Sequence, residues 1–215
     1  TQNGLFAGFA AMLLAMPLFL PLTVSVVAGD TIAGEAGLGT LRYLLIAPVG
    51  RIRLLIVKYL GTLAFVSVGT LTLMIAGALV GALLFPVGPV TLLSGDVIGL
   101  GESLGRMALV ALYTTISMMG MLALGLFIST LTTIPVGAMT GVLIASGVSQ
   151  ILDNLPQVAI IHEFLFTHYW LDFADLLRNP IELSSMGSNL ILQVGYVVLF
   201  GVLAYSRFST KDILS

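Results

Sequence analysis

The sequence predicts an all-α membrane protein: a polytopic helical bundle of five spans forming one transmembrane domain over residues 1–215. Three observations carry this. The chain is 58% apolar and only 8% charged, with a mean hydropathy of +1.12, whereas soluble domains carry about 25% charged residues. Its apolar runs are continuous rather than alternating, which is the pattern of helices and not of barrel strands. Four of its eight basic residues, Arg42, Arg51, Arg53 and Lys58, fall within one short stretch between the first two runs. Short loops rich in Lys and Arg stay on the cytoplasmic side.

The first span is predicted at residues 5–28, about 36 Å of helix and enough to cross with tilt; Pro17 and Pro21 should kink it. Residues 29–53 form a cytoplasmic region whose Gly34, Gly37 and Gly39 interrupt any continuous helix, and Thr40 can cap a new short helix over 41–46, ended by Ala47-Pro48. The second span, 54–85, has Lys58 placed to snorkel and stops at Pro86-Val87-Gly88-Pro89. The third is 107–131. The fourth is 135–152, with Thr133 near the N-cap and Pro135 in the first turn. The fifth is 190–205. Between the last two lies HEFLFTHYWLDFADLL, whose five aromatics among acidic residues suit a membrane–water interface. External helices are therefore expected over about 156–185, either lying in the outer leaflet or packed as a cap on the helix ends.

Four crossings join the basic cluster to Arg207 and Lys211, so both come out cytoplasmic and residue 1 comes out external. With no basic flank before the first run, a preceding span with a cytoplasmic N-terminus is expected. GxxxG pairs at Gly4/Gly8, Gly77/Gly81 and Gly137/Gly141 permit close helix approach, within the chain or between copies.

Several chemistries are excluded or weak. Cysteine is absent, removing disulfides, thiolate metal sites and cysteine nucleophiles. No P-loop and no GxSxG elbow is present. Nucleic acid is an unsuitable partner for so short a basic cluster between apolar runs. Asp30 and Asp96 come out on opposite sides of the membrane and cannot form an aspartyl pair. His162, Glu163, His168 and Asp172 make a loose ligand set, the two histidines being six residues apart, and hydrogen bonding at the interface suits them better than a metal. Glu35, Arg42 and Asp30 remain as the best functional candidates, or simply as markers of the membrane edge. No catalytic, cofactor or metal residue is predicted.

At Glu35, Gly39-Thr40-Leu41-Arg42, Pro48-Val49-Gly50-Arg51 and Lys58 the chain resembles the permease subunit of type-2 ABC transporters, the exporter class. GLFISTL at 125–131, the external helical pair and the tail RFSTKDI at 207–213 extend the likeness along the chain. The resemblance implies a type-2 ABC exporter transmembrane domain of six spans, so the span before residue 1 would be the first. It implies a partner permease, identical or homologous, and two cytoplasmic ATPase subunits that bind ATP and Mg, with membrane lipids around the whole. It implies that residues 39–46 are a coupling helix seated on the ATPase, with Glu35, Gly39, Thr40, Leu41, Arg42, Leu45, Pro48, Arg51 and Lys58 as the coupling residues. Phe164, Tyr169 and Trp170 would close the external end. Cargo would be hydrophobic or amphipathic. A regulatory membrane anchor for an ATPase and an ATP-independent channel or carrier are the alternatives; the absence of ionisable residues within spans one, three, four and five counts against the last.

Overall fold

The computed structural model describes residues 3–40 and 50–210. Among them are five helical stretches long and apolar enough to cross a membrane, so the chain is a multi-pass helical membrane protein. The first is α1 (Phe6–Leu14), a π-turn (Ala15–Phe19) and α2 (Leu20–Gly37) run together. The others are α3 (Arg51–Leu84), α4 (Leu100–Ser117) followed by α5 (Met119–Leu131), α6 (Pro135–Asp153) and α7 (Ser184–Thr210). At 32 to 34 residues the first three stretches reach about 50 Å, well beyond the roughly 30 Å apolar layer.

Leu100–Leu131 is the centre of the bundle: 72% of its apolar window is buried, against 11–39% for the other four. Around it the exposed residues are themselves apolar, as Leu18, Val68, Leu83, Ile144 and Ile191 show. That is a surface for lipid rather than water.

The helices are joined by small residues and hydroxyls more than by large apolar knobs. Gly4 and Gly8 of the first stretch lie directly on Gly77 and Gly81 of α3: a Cβ on Gly81 would stand 2.0 Å from the Gly4 carbonyl oxygen, and one on Gly77 3.0 Å from the Gly8 Cα. Two of the three GxxxG pairs are thus spent on each other within the chain, while a Cβ on Gly137 meets nothing within 4 Å. Thr70 and Thr115 share a hydroxyl contact of 3.0 Å between α3 and α4.

Pro17 does not make a sharp break. The ladder widens instead: the Leu20 N–H reaches back to the Ala15 carbonyl, a π-type step that absorbs the missing proline donor and ring. The freed Pro17 carbonyl accepts from Gln150 Nε2 at 3.2 Å.

Several expected boundaries shift. The first helix continues nine residues past Ala28 to Gly37, so residues 29–37 of the expected cytoplasmic region are helical. Gly34 is helical because its missing Cβ leaves room for the Asp30 carboxylate, whose Oδ1 would be 2.4 Å away from one. Gly37 is helical where the chain crosses the Thr133 carbonyl, 2.9 Å from where its Cβ would be. The chain leaves the helix at Gly39, the residue at φ +70° that a left-handed C-terminal cap requires. The central span opens at Leu100 rather than 107 and steps at Met118. Helix α6 starts at Pro135 as expected, with Ile134 at the N-cap beside Thr133, and the Ile134 N–H donates to the Thr132 hydroxyl at 3.0 Å. Helix α7 begins six residues before 190.

The ends of the bundle differ. At one, α2, α3, the α5–α6 turn and α7 meet around Arg51. At the other, a hairpin of β1 (Val90–Thr91) and β2 (Val97–Ile98) pairs antiparallel, Val90 opposite Ile98. Asn3 Nδ2 ties the chain there to the Gly88 and Pro89 carbonyls at 2.8 and 2.7 Å. Beside the hairpin, 156–185 forms two short 3₁₀ segments, Pro156–Phe164 and Trp170–Leu177. The second buries Trp170, Phe173, Leu176 and Leu177 and is a packed cap; the first buries none of its residues.

Candidate functional site

The Arg51 end carries the charged residues singled out from the sequence. Helix α2 closes in a Schellman arrangement: the Thr40 N–H reaches the Glu35 carbonyl at 3.0 Å and the Gly39 N–H the Ala36 carbonyl at 3.2 Å. The Thr40 hydroxyl also donates to the Glu35 carbonyl at 3.2 Å, so Thr40 closes the preceding helix. Leu41, Arg42, Leu45 and Pro48, with the expected 41–46 helix, lie outside the described residues.

Glu35 points from the last turns of α2 to Lys58 on α3, and Lys58 Nζ donates to Glu35 Oε1. The other carboxylate oxygen, Oε2, is buried with no partner among the described residues. Asp30, Thr31, Glu35 and Lys58 line a cleft of about 400 Å³ whose floor includes Gly34 and Pro135. The site therefore gathers two carboxylates and one ammonium, the elements of an electrostatic contact. Each partner of the Glu35–Lys58 pair keeps a quarter of its side chain exposed, so solvent screens it in part.

Arg51 turns elsewhere. Its Nη1 donates to the Phe208 and Ser209 carbonyls at 2.7 and 2.6 Å, two of the acceptors a helix C-terminus leaves open. The start of α3 is thereby fastened to the end of α7. On the opposite flank, Ser129 enters the α2 backbone. Its hydroxyl accepts from the Ile32 and Ala33 N–H groups at 2.9 and 2.8 Å and donates to the Gly29 carbonyl at 2.7 Å. Both helices that flank residues 41–49 are thus anchored in the bundle close to where that segment begins and ends.

At the hairpin end the three aromatics expected to act together separate. Trp170 is buried, with its indole N–H on the Ser117 carbonyl at 3.0 Å. Tyr169 offers its backbone carbonyl to the Tyr113 hydroxyl at 2.6 Å. Phe164 is 67% exposed. Phe166, not Phe164, packs edge-on to Trp170, their ring centres 5.9 Å apart.

Three residues that organise this end were not expected from the sequence. Arg106, just before the expected start of the third span at 107, is buried in α4; its Nη1 donates to the Leu176 and Arg178 carbonyls at 2.7 Å each, and Nη2 to Glu102 at 2.8 Å. Gln193 bridges from α7: it accepts from the Gly120 N–H at 2.9 Å and donates to the Phe166 carbonyl at 2.9 Å. Asn189 donates to the Ser117 hydroxyl at 2.7 Å. A lone glutamine inside LILQVGYVVLF was the available signal, since a polar amide in an apolar span needs an internal partner.

His168 and His162, expected to splay apart, approach to 6.1 Å between ring centres because the intervening chain turns rather than continuing as one helix. His168 Nδ1 meets Asp153 Oδ1 at 2.6 Å, and His162 Nε2 meets the Leu155 carbonyl at 3.1 Å. Burial, and then the neighbouring Asp175, push the Asp172 carboxyl above its ordinary range.

Because the chain has no cysteine, single introduced thiols report this geometry cleanly. Glu163→Cys, on the exposed segment, should react with an impermeant thiol reagent added outside cells. Thr167→Cys should react at least about tenfold more slowly, because Thr167 is buried against the Ser149 hydroxyl at 2.7 Å. Labelling of Glu163→Cys only from the cytoplasmic side would reverse the orientation.

A family model described as "Protein of unknown function (DUF2705)" matches residues 1–214. No curated protein matches the chain.

Proposed function

We propose that this chain, which belongs to the DUF2705 family, is the transmembrane permease subunit of an ATP-driven exporter. In this reading it sits in the plasma or inner membrane and moves a hydrophobic or amphipathic cargo outward. It has no catalysis of its own: ATP and Mg are bound by two cytoplasmic ATPase subunits, and a second permease, identical or homologous, completes the pathway. The Arg51 end is the cytoplasmic one.

One observation carries the reading. The segment from Gly39 to Arg51 leaves one long helix and enters another, and both are fastened where it attaches. The Glu35–Lys58 pair joins them, Ser129 holds α2, and the α7 carbonyls hold Arg51. A push on a segment mounted in this way moves spans rather than loops. That is what coupling to a soluble motor demands, and it agrees with the family resemblance of GTLR and PVGR.

The test is purification of the full chain from its own membrane in mild detergent. A P-loop ATPase should copurify, and the chain alone should hydrolyse no ATP. Leu44→Pro should weaken the association about 100-fold, since proline within a helix costs about 3 kcal/mol, while insertion stays normal. Arg42→Glu should weaken it as well. Hydrolysis by the chain alone, or full association in Leu44→Pro, would refute the proposal. Association without any transport would favour the regulatory anchor.

A further inference from the structure

We propose that the groove between α3 and α7 binds the acyl chain of an anionic phospholipid, whose phosphate rests against Arg53. The inference needs the membrane reading alone and not the exporter reading.

The groove has a volume of about 540 Å³ and is walled by Ile52, Ile56 and Leu60 of α3 and by Val198, Gly201 and Tyr205 of α7, with α5 as its floor. That volume lies within the range of sites for small ligands, about 300–1,000 Å³. Polar fastenings fix the spacing of its walls. At the mouth, Arg51 binds the Phe208 and Ser209 carbonyls. Further in, the Tyr59 hydroxyl donates to the Met119 carbonyl at 3.1 Å. Gly201 leaves the wall open: a Cβ there would meet nothing within 4 Å.

Charge selects the occupant. Arg53 does not line the slot itself; it follows Ile52, the outermost α3 residue of the wall, and so stands at the flank of the mouth, one turn before Ile56. It is exposed, and among the described residues no carboxylate pairs with it. Arg207 is exposed at the same end. An apolar slot with a guanidinium at the level of the headgroups matches an acyl chain joined to a phosphate, and basic residues between helices attract anionic headgroups.

Native mass spectrometry of the purified full chain, titrated with phosphatidylglycerol or with phosphatidylcholine of the same acyl length, tests this. One phosphatidylglycerol should bind about fivefold more tightly than phosphatidylcholine, the gain of one arginine near the surface. Arg53→Gln should erase that preference. Gly201→Phe, whose Cβ meets nothing within 4 Å and whose ring occupies the slot, should weaken both lipids. Equal affinity of the two lipids in the unaltered chain would overturn the proposal. So would phosphatidylglycerol binding that Gly201→Phe leaves intact, because the lipid would then sit on the rim only. A lipid-free dimer that Gly201→Phe dissociates would assign the groove to a second copy instead.

Discussion

Gly81→Val is expected to destabilise the protein more than the same substitution at any other glycine of the described helices. The Cβ would lie 2.0 Å from the Gly4 carbonyl oxygen and 2.6 Å from the Ala7 Cβ, and the first of these is backbone, which has no rotamer into which to retreat. The helices must separate. In a membrane that separation sacrifices the van der Waals contact that holds them together, since lipid offers no hydrophobic drive to restore it. Overpacking of this kind costs about 3 kcal/mol, or roughly 6–12 °C of melting temperature in a chain of this size. Gly69→Val is the control: it lies on the same helix α3, and a Cβ there meets nothing within 4 Å. Thermal unfolding in detergent should show a large loss for Gly81→Val and little for Gly69→Val. Equal losses would trace the effect to helix propensity and not to the crossing.

Arg106→Met should release the cap at the hairpin end. The side chain is 6% exposed, and methionine replaces much of its volume while removing every donor. The Leu176 and Arg178 carbonyls, each held at 2.7 Å, lose that donor. A buried acceptor left without its bond costs about 1–3 kcal/mol; the Leu176 carbonyl is buried and the half-buried Arg178 carbonyl adds less, for about 2–3 kcal/mol together. Amide hydrogen exchange across 170–182 should quicken about 100-fold, while the core of α5, packed elsewhere, should not change. Glu102→Gln should have a much smaller effect, because Glu102 is half-exposed and Arg106 keeps its carbonyl contacts. Unchanged exchange in Arg106→Met would remove Arg106 from this role.

The apolar runs were legible because continuous hydrophobicity over twenty or more residues has few other meanings. Helix ends were not: the expected spans stop where the apolar run stops, while polar, charged and small residues beyond those points continue the helices. Asp30 and Glu35 extend α2 instead, one folded against Gly34 and the other paired with Lys58 across to α3. Arg106 sits inside α4 because carbonyls of a distant segment receive it. The expected break at Gly34 and Gly37 failed because those glycines serve close approach, and only Gly39 takes the left-handed backbone. At the hairpin end, aromatic density announced an interface but could not say which rings face inward. In two 3₁₀ segments joined by a turn, neither helical nor strand periodicity applies, and Trp170 and Phe164 fall on different sides. The Glu35 half of the candidate site was readable from spacing. Its supports, Ser129 and the α7 carbonyls that bind Arg51, arrive from about a hundred residues or more away and leave no local trace.

The contacts between the first span and α3 have a mechanical consequence. The two helices touch without intervening side chains at Gly4–Gly81 and are tied near their other ends by Glu35 and Lys58. Two rungs so far apart make the pair a braced beam. A load applied where α2 ends and α3 begins cannot spread its two members; it can only tilt them together or bow them between the rungs. The π-turn at Ala15–Phe19 lies in that interval, on one member only. Bowing would concentrate there, so the compliance of the whole beam would be set by five residues around Pro17.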